Sequence, residues 1–62
     1  MTYVMKTKEN NKQMVQMVFE GCYKVRTYEL IGGHYSRVKE NLYADEKKAN
    51  ARFNKLAREI AQ

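Results

Sequence analysis

The chain contains no proline and no tryptophan, a single cysteine (Cys22), a single histidine (His34) and three glycines among 62 residues. Each scarcity closes a route. One cysteine makes no disulfide within the chain, and one histidine far from any second strong ligand makes no four-ligand zinc site. The longest apolar runs are three residues, as in Met17-Val18-Phe19, whereas a bilayer-spanning helix needs about 20. Gly32-Gly33 lacks the further glycine, lysine and hydroxyl that define a phosphate-binding loop. The seven carboxylates are scattered, and no nucleophile, base and oxyanion set can be assembled from them. Cys22 lies near a turn with no histidine nearby in sequence, so we expect a small half-buried residue rather than a reactive thiol. His34 is expected to be an exposed turn residue. The four methionines read as a start residue and core filler. The sequence therefore predicts no enzyme, no metal, no cofactor and no small-molecule substrate.

What remains is a single small domain. A chain of this length buries only about 60% of the surface it exposes when unfolded. Small folds supplement a thin core with disulfides, a metal or oligomerisation; with the first two closed, a homodimer is expected. A lone cysteine suits a reducing compartment, and Met1 to Thr7 has neither an apolar stretch nor a small-residue cleavage site. A cytoplasmic protein without a membrane partner is the expectation. Twelve Lys and Arg against seven Asp and Glu leave a net charge of +5. Such a field favours polyanions such as nucleic acid, although a net charge of roughly 2 to 8 also serves simple solubility.

Turn-forming residues divide the chain at Lys8-Glu9-Asn10-Asn11-Lys12, at Glu20-Gly21 and at Gly32-Gly33. The segments between them are rich in Val, Tyr, Met, Thr and Phe and read as strands. Beyond Tyr43 the period changes. Ala49, Phe53, Leu56, Ala57 and Ile60 form one stripe of a 3.6-residue repeat, with Asp45 as N-cap and Glu46 at the positive end of the dipole. The fold class predicted is α+β: an antiparallel β-meander over 13–43, of three strands or four with the N-terminal segment, packed on one C-terminal helix over 45–61. Residues 1–12 are expected to be an edge strand or a flexible arm.

Gly32-Gly33 supplies the positive φ angles of a two-residue type I′ turn, which sets Ile31 opposite His34. Counting back places Tyr23, Val25, Thr27 and Ile31 opposite Leu42, Val38 and His34 on a core face. A three-residue loop Glu20-Gly21-Cys22 then sets Phe19 against Tyr23 and Met17 against Val25, turning Val15, Met17 and Phe19 inward. The opposite face carries Lys24, Arg26, Tyr28, Tyr35, Arg37 and Lys39, with Tyr43 beside Cys22. Glu40 alone fits poorly, falling on the apolar face opposite Val25; it reads either as an inward charge guarding an edge strand or as the trace of a bulge near Lys39 to Asn41.

In that register Arg26 lies opposite Lys39, and on the helix Lys48, Arg52 and Lys55 form a second basic stripe. Like charges so placed destabilise, and an anionic partner would relieve them. Tyr28, Tyr35 and Tyr43 offer stacking platforms among the cations. Nucleic-acid binding through this basic, aromatic face is the leading expectation. The same Tyr-plus-Arg composition also suits protein interfaces, and it suits a plain solvated sheet face.

Three strands followed by a helix resembles the layout of the plant AP2-type domains and of the arm-binding N-terminal domains of some phage integrases, which lay a sheet face in the DNA major groove. Leu42-Tyr43-Ala44-Asp45-Glu46-Lys47-Lys48-Ala49 is similar to the strand-to-helix junction of the AP2 group. The chain lacks tryptophan and the Gly-Arg-rich first strand of that group. Lys47-Lys48 followed by Ala51 resembles the opening of the second helix of double-stranded-RNA-binding domains, but too few residues precede the first strand to form their first helix. By size, the chain also resembles one-domain proteins of phage and mobile elements. Many of those, such as anti-CRISPR proteins, dock on a host protein and block it. On that analogy the partner is a host protein, held by the same face, by Val18 and Leu30, by the N-terminal segment, or by a sheet edge.

Overall fold

The computed structural model describes residues 1–61 and contains four strands and one helix: β1 (Tyr3–Glu9), β2 (Gln13–Phe19), β3 (Tyr23–Ile31), β4 (His34–Tyr43) and α1 (Glu46–Ile60). The strands form one antiparallel sheet in the order β1-β2-β3-β4. This is the α+β meander expected, with the N-terminal segment forming a fourth strand.

Two local signals fix most of the architecture. Gly32 and Gly33 both adopt positive φ, at 59° and 84°, and Ile31 pairs with His34 across them. Gly21, at φ 76°, turns the Glu20-Gly21-Cys22 loop, so that Phe19 meets Tyr23 and Met17 meets Val25 as counted from the sequence. The β1–β2 turn is held by Asn10, whose side-chain oxygen accepts from the Lys12 and Gln13 amides, each at 2.7 Å. Its side-chain nitrogen donates to the Ile60 carbonyl at 2.7 Å, tying the turn to the last residue of the helix. At the other helix end Asp45 has extended dihedrals and its carboxylate accepts from the Lys47 amide at 2.9 Å.

The core lies between the helix and one sheet face. Val15, Met17, Val25, Ala49, Phe53 and Ile60 are buried there, with Met5, Tyr23, Tyr43, Leu56 and Ala57 packed around them. Phe19, expected inside, is instead 40% exposed at the sheet end, its ring edge-on to Tyr23 at 5.0 Å.

The β3–β4 register departs from a straight count. Pairing runs from Ile31–His34 to Tyr28–Arg37, then resumes at Thr27–Lys39, Arg26–Glu40, Val25–Asn41, Lys24–Leu42 and Tyr23–Tyr43. Val38 is therefore the extra residue of a β-bulge, and every later β4 side chain is moved to the other face. Tyr43 packs against the core instead of facing outward, Leu42 is outside and 61% exposed, and Val38 is half exposed rather than buried. The bulge replaces an Arg26–Lys39 repulsion by an Arg26–Glu40 ion pair at 2.6 Å and removes Glu40 from the position opposite Val25. It also brings Asn41 under the helix, where its amide nitrogen is buried without a hydrogen-bond partner. An unpaired buried donor costs on the order of 1–3 kcal/mol. Asn41→Val is accordingly expected to raise the unfolding free energy by about 1 kcal/mol in a urea titration.

Candidate functional site

With the register known, the outer sheet face resolves into cross-strand rows. Val4–Val18–Lys24–Leu42 lies nearest the β2–β3 turn, followed by Thr7–Gln16–Arg26–Glu40, by Glu9–Met14–Tyr28–Arg37, and by Leu30–Tyr35. Five of the six central residues expected to share this face do so: Lys24, Arg26, Tyr28, Tyr35 and Arg37. Lys39 does not. The bulge places it opposite Thr27 on the helix side, and Tyr43 is displaced with it.

The cations of the outer face are not a bare basic patch. Lys24 bonds Glu20 at 3.0 Å, and Arg26 lies between Glu20 at 3.7 Å and Glu40 at 2.6 Å. Arg37 reaches Glu40 at 3.2 Å. The Tyr35 hydroxyl donates to the Asn10 carbonyl at 2.9 Å, and its pKa is raised, first by desolvation and then by Glu9. Lys24, Arg26 and Arg37 are thus ion-paired with Glu20 and Glu40, and Glu9, beside Tyr35, brings the formal charge of the face to zero.

Hydrogen bonds from the Thr2 hydroxyl and Lys24, with the Lys24 and Arg26 charges, hold the Glu20 carboxyl down at about 2. Glu40 is lowered chiefly by its bond from Arg26. Both folded values lie below the ordinary value of 4.5, so their contribution to stability is present above that pH and is lost as pH falls through the folded values. The thermal midpoint is expected to hold near neutrality and to decline between about pH 4.5 and 2. Glu20→Gln and Glu40→Gln should each lower the neutral-pH midpoint and flatten that acid limb.

The remaining charge lies elsewhere. On the helix-side sheet face Lys6 pairs with Met17, while Lys8 and Lys39 end the row Lys8–Val15–Thr27–Lys39, a lysine at each sheet edge. Lys6 donates to the Asn50 side chain and lies over the Phe53 ring at 5.8 Å. On the helix Lys48 and Lys55 are exposed and Arg52 is half-buried, its Nε donating to the Tyr43 hydroxyl at 3.1 Å. Lys48, Arg52 and Lys55 therefore follow the β4 flank of the helix, on the side where Lys39 emerges. With Lys12, Lys47 and Arg58, this side and its adjoining turn hold nine of the twelve cations, against Glu29, Asp45, Glu46 and Glu59. The whole net charge of +5 lies here.

Comparison with known proteins gives no assignment. No family model, no curated protein and no solved structure matches the chain.

The sequence reading missed the three carboxylates that neutralise the outer face: Glu40 meets Arg26 and Arg37 only because of the bulge, Glu20 reaches Lys24 and Arg26 from the β2–β3 turn, and the side of Glu9 is set by β1 joining the sheet. It also passed over Lys6 and Lys8, whose side is set by β1 joining the sheet. A cleft of about 190 Å³ between β1 and the first helical turn is lined by Met5, Lys6, Met17, Glu46, Lys47 and Asn50, below the roughly 300 Å³ at which small-molecule sites begin. A larger hollow of about 430 Å³ beside Lys12, Gln13, Glu29 and Leu30 lies open on the surface. Cys22 is half-buried and His34 exposed. Among the described residues no group of three His, Cys, Asp or Glu could hold a metal, and no helix is long and apolar enough to cross a membrane.

Proposed function

We propose that the protein is a non-catalytic binding module that engages nucleic acid through its helix-bearing side, with Lys39, Lys48, Arg52 and Lys55 as the central phosphate contacts. The observation that carries this reading is the segregation of charge: one side of the sheet balances three cations with three carboxylates, two of them in ion pairs, and the other holds the full excess of +5. Like-charged side chains four apart on a helix, as Lys48 and Arg52 are, repel one another, and bound phosphates remove that repulsion. Lys24, Arg26 and Arg37 become secondary, since an incoming phosphate would have to displace Glu20 or Glu40 from them. Tyr28 and Tyr35 stay with the outer face.

A second reading, a modulator of phage type that grips a host protein by the outer sheet face, draws on a different observation. That face combines Tyr28 and two arginines with exposed Leu30 and Leu42 and no net charge, the composition of protein interfaces rather than phosphate grooves.

A salt titration by fluorescence anisotropy, on mixed-sequence duplex DNA, single-stranded DNA and RNA, tests the leading reading. Four phosphate contacts on duplex DNA give a log–log slope of about −3.6, so affinity should fall roughly 150-fold between 50 and 200 mM salt. Absence of binding to all three probes at low salt rejects it.

A further inference from the structure

We infer that the outer sheet face is a homodimer interface, joining two copies back to back so that their basic helices point outward on opposite sides. The inference does not rest on nucleic-acid binding; it concerns the face that the helix leaves uncovered.

Charge selects the occupant. Two copies, each at +5, repel through any surface that carries the excess, and the excess lies on the helix side. The outer face is the one side of the sheet whose cations are already matched by carboxylates on the same chain. A two-fold contact presents the same patch twice, so a neutral patch is the one that a strongly basic chain can present to itself.

Composition and area agree. The row Val4–Val18–Lys24–Leu42 crosses all four strands. Val18, outside the helix-packed core, is fully buried, while Val4 beside it and Leu42 at the far end of the row are 51% and 61% exposed. Lys24 bends away to Glu20, so the row presents aliphatic surface, and above it stand Arg26, Tyr28 and Arg37, residue types that anchor interfaces. The molecule measures 32 by 26 Å across its two longer axes, and a face of that extent matches the roughly 800 Å² per partner of a standard specific interface.

The sheet edges compete poorly. A bulge at Met5 interrupts β1 and another at Val38 interrupts β4, and bulged edges resist pairing with a further strand. Pairing edge to edge would also bring together the edge lysines Lys8 or Lys39 of the two copies.

Sedimentation velocity over the micromolar range tests the inference. The 7.4 kDa chain is expected to sediment at twice that mass. Leu42→Arg should weaken self-association at least tenfold while leaving the circular dichroism unchanged, since the side chain is already solvent-facing. Leu30→Lys, at the opposite end of the face, provides a second variant should the first fail to fold, and Arg58→Gln on the helix should leave the dimer intact. A wild-type monomer across the whole range overturns the inference and leaves the face to a different protein. Undiminished dimerisation of folded Leu42→Arg and Leu30→Lys overturns it as well, placing self-association on another surface.

Discussion

Phe53→Ala is expected to bring the domain to the edge of unfolding at room temperature, lowering the thermal midpoint by roughly 12 to 40 °C. Removing a buried phenylalanine costs about 3–5 kcal/mol, and at this size each kcal/mol corresponds to about 4–8 °C. Stability of about 0.05–0.15 kcal/mol per residue gives a chain of this length only some 3 to 9 kcal/mol in all. Phe53 matters out of proportion because the core is so small. Ala49, Phe53 and Ile60 are the helix's buried residues, and among the described residues Phe53 is the one buried ring, packed with Val15, Met17 and Val25. The lone cysteine makes no disulfide to compensate. The same ring also carries Lys6 over its face, so its loss loosens β1 together with α1. Circular dichroism melts against Phe53→Leu, which retains most of the apolar volume and should cost less, check the point. A shift of under 5 °C would mean that the helix does not draw its stability from this contact.

The parts of the fold legible in the sequence are those set by local rules. The stripe of Ala49, Phe53, Leu56, Ala57 and Ile60, with Asp45 before it, depends on helical period and capping alone, and α1 begins one residue after its cap. Gly32 and Gly33 adopt the conformation that glycine tolerates best, and a three-residue loop then fixed the phase of β2 against β3. The extra residue in β4 has no such marker. Val38 is an ordinary strand residue, and nothing in its neighbours distinguishes a bulge from a straight ladder. Its trace was indirect: a carboxylate, Glu40, set opposite Val25 by straight counting. One inserted residue resolves that conflict and at once converts the supposed repulsion at Arg26 into an ion pair. The candidate surface was therefore less legible than the fold, since charge pairing across a sheet depends on register and a slip of one residue inverts it. Strand β1 was ambiguous for another reason. Its evidence is tertiary, in the bonds from Lys6 to Asn50 and from Asn10 to Ile60, which no local pattern announces.

Because register decides where the free charge lies, two triple variants of equal charge change should behave differently. Lys48→Gln, Arg52→Gln and Lys55→Gln together remove three positive charges from the helix flank; Lys24→Gln, Arg26→Gln and Arg37→Gln remove three from the outer face. If the helix flank holds phosphates, the first triple loses three contacts. The salt slope on duplex DNA then falls in magnitude by about 2.7, and affinity at 0.1 M salt falls by roughly 500-fold. The second triple leaves Glu20 and Glu40 without cationic partners. It should lower the thermal midpoint and change the slope little, because cations held by carboxylates neutralise no phosphates and so release no counterions from the DNA. Equal losses from the two triples would point to long-range attraction by net charge and deny a defined site. A larger loss from the second would return the interface to the sheet face, with phosphates displacing the carboxylates from Arg26 and Arg37.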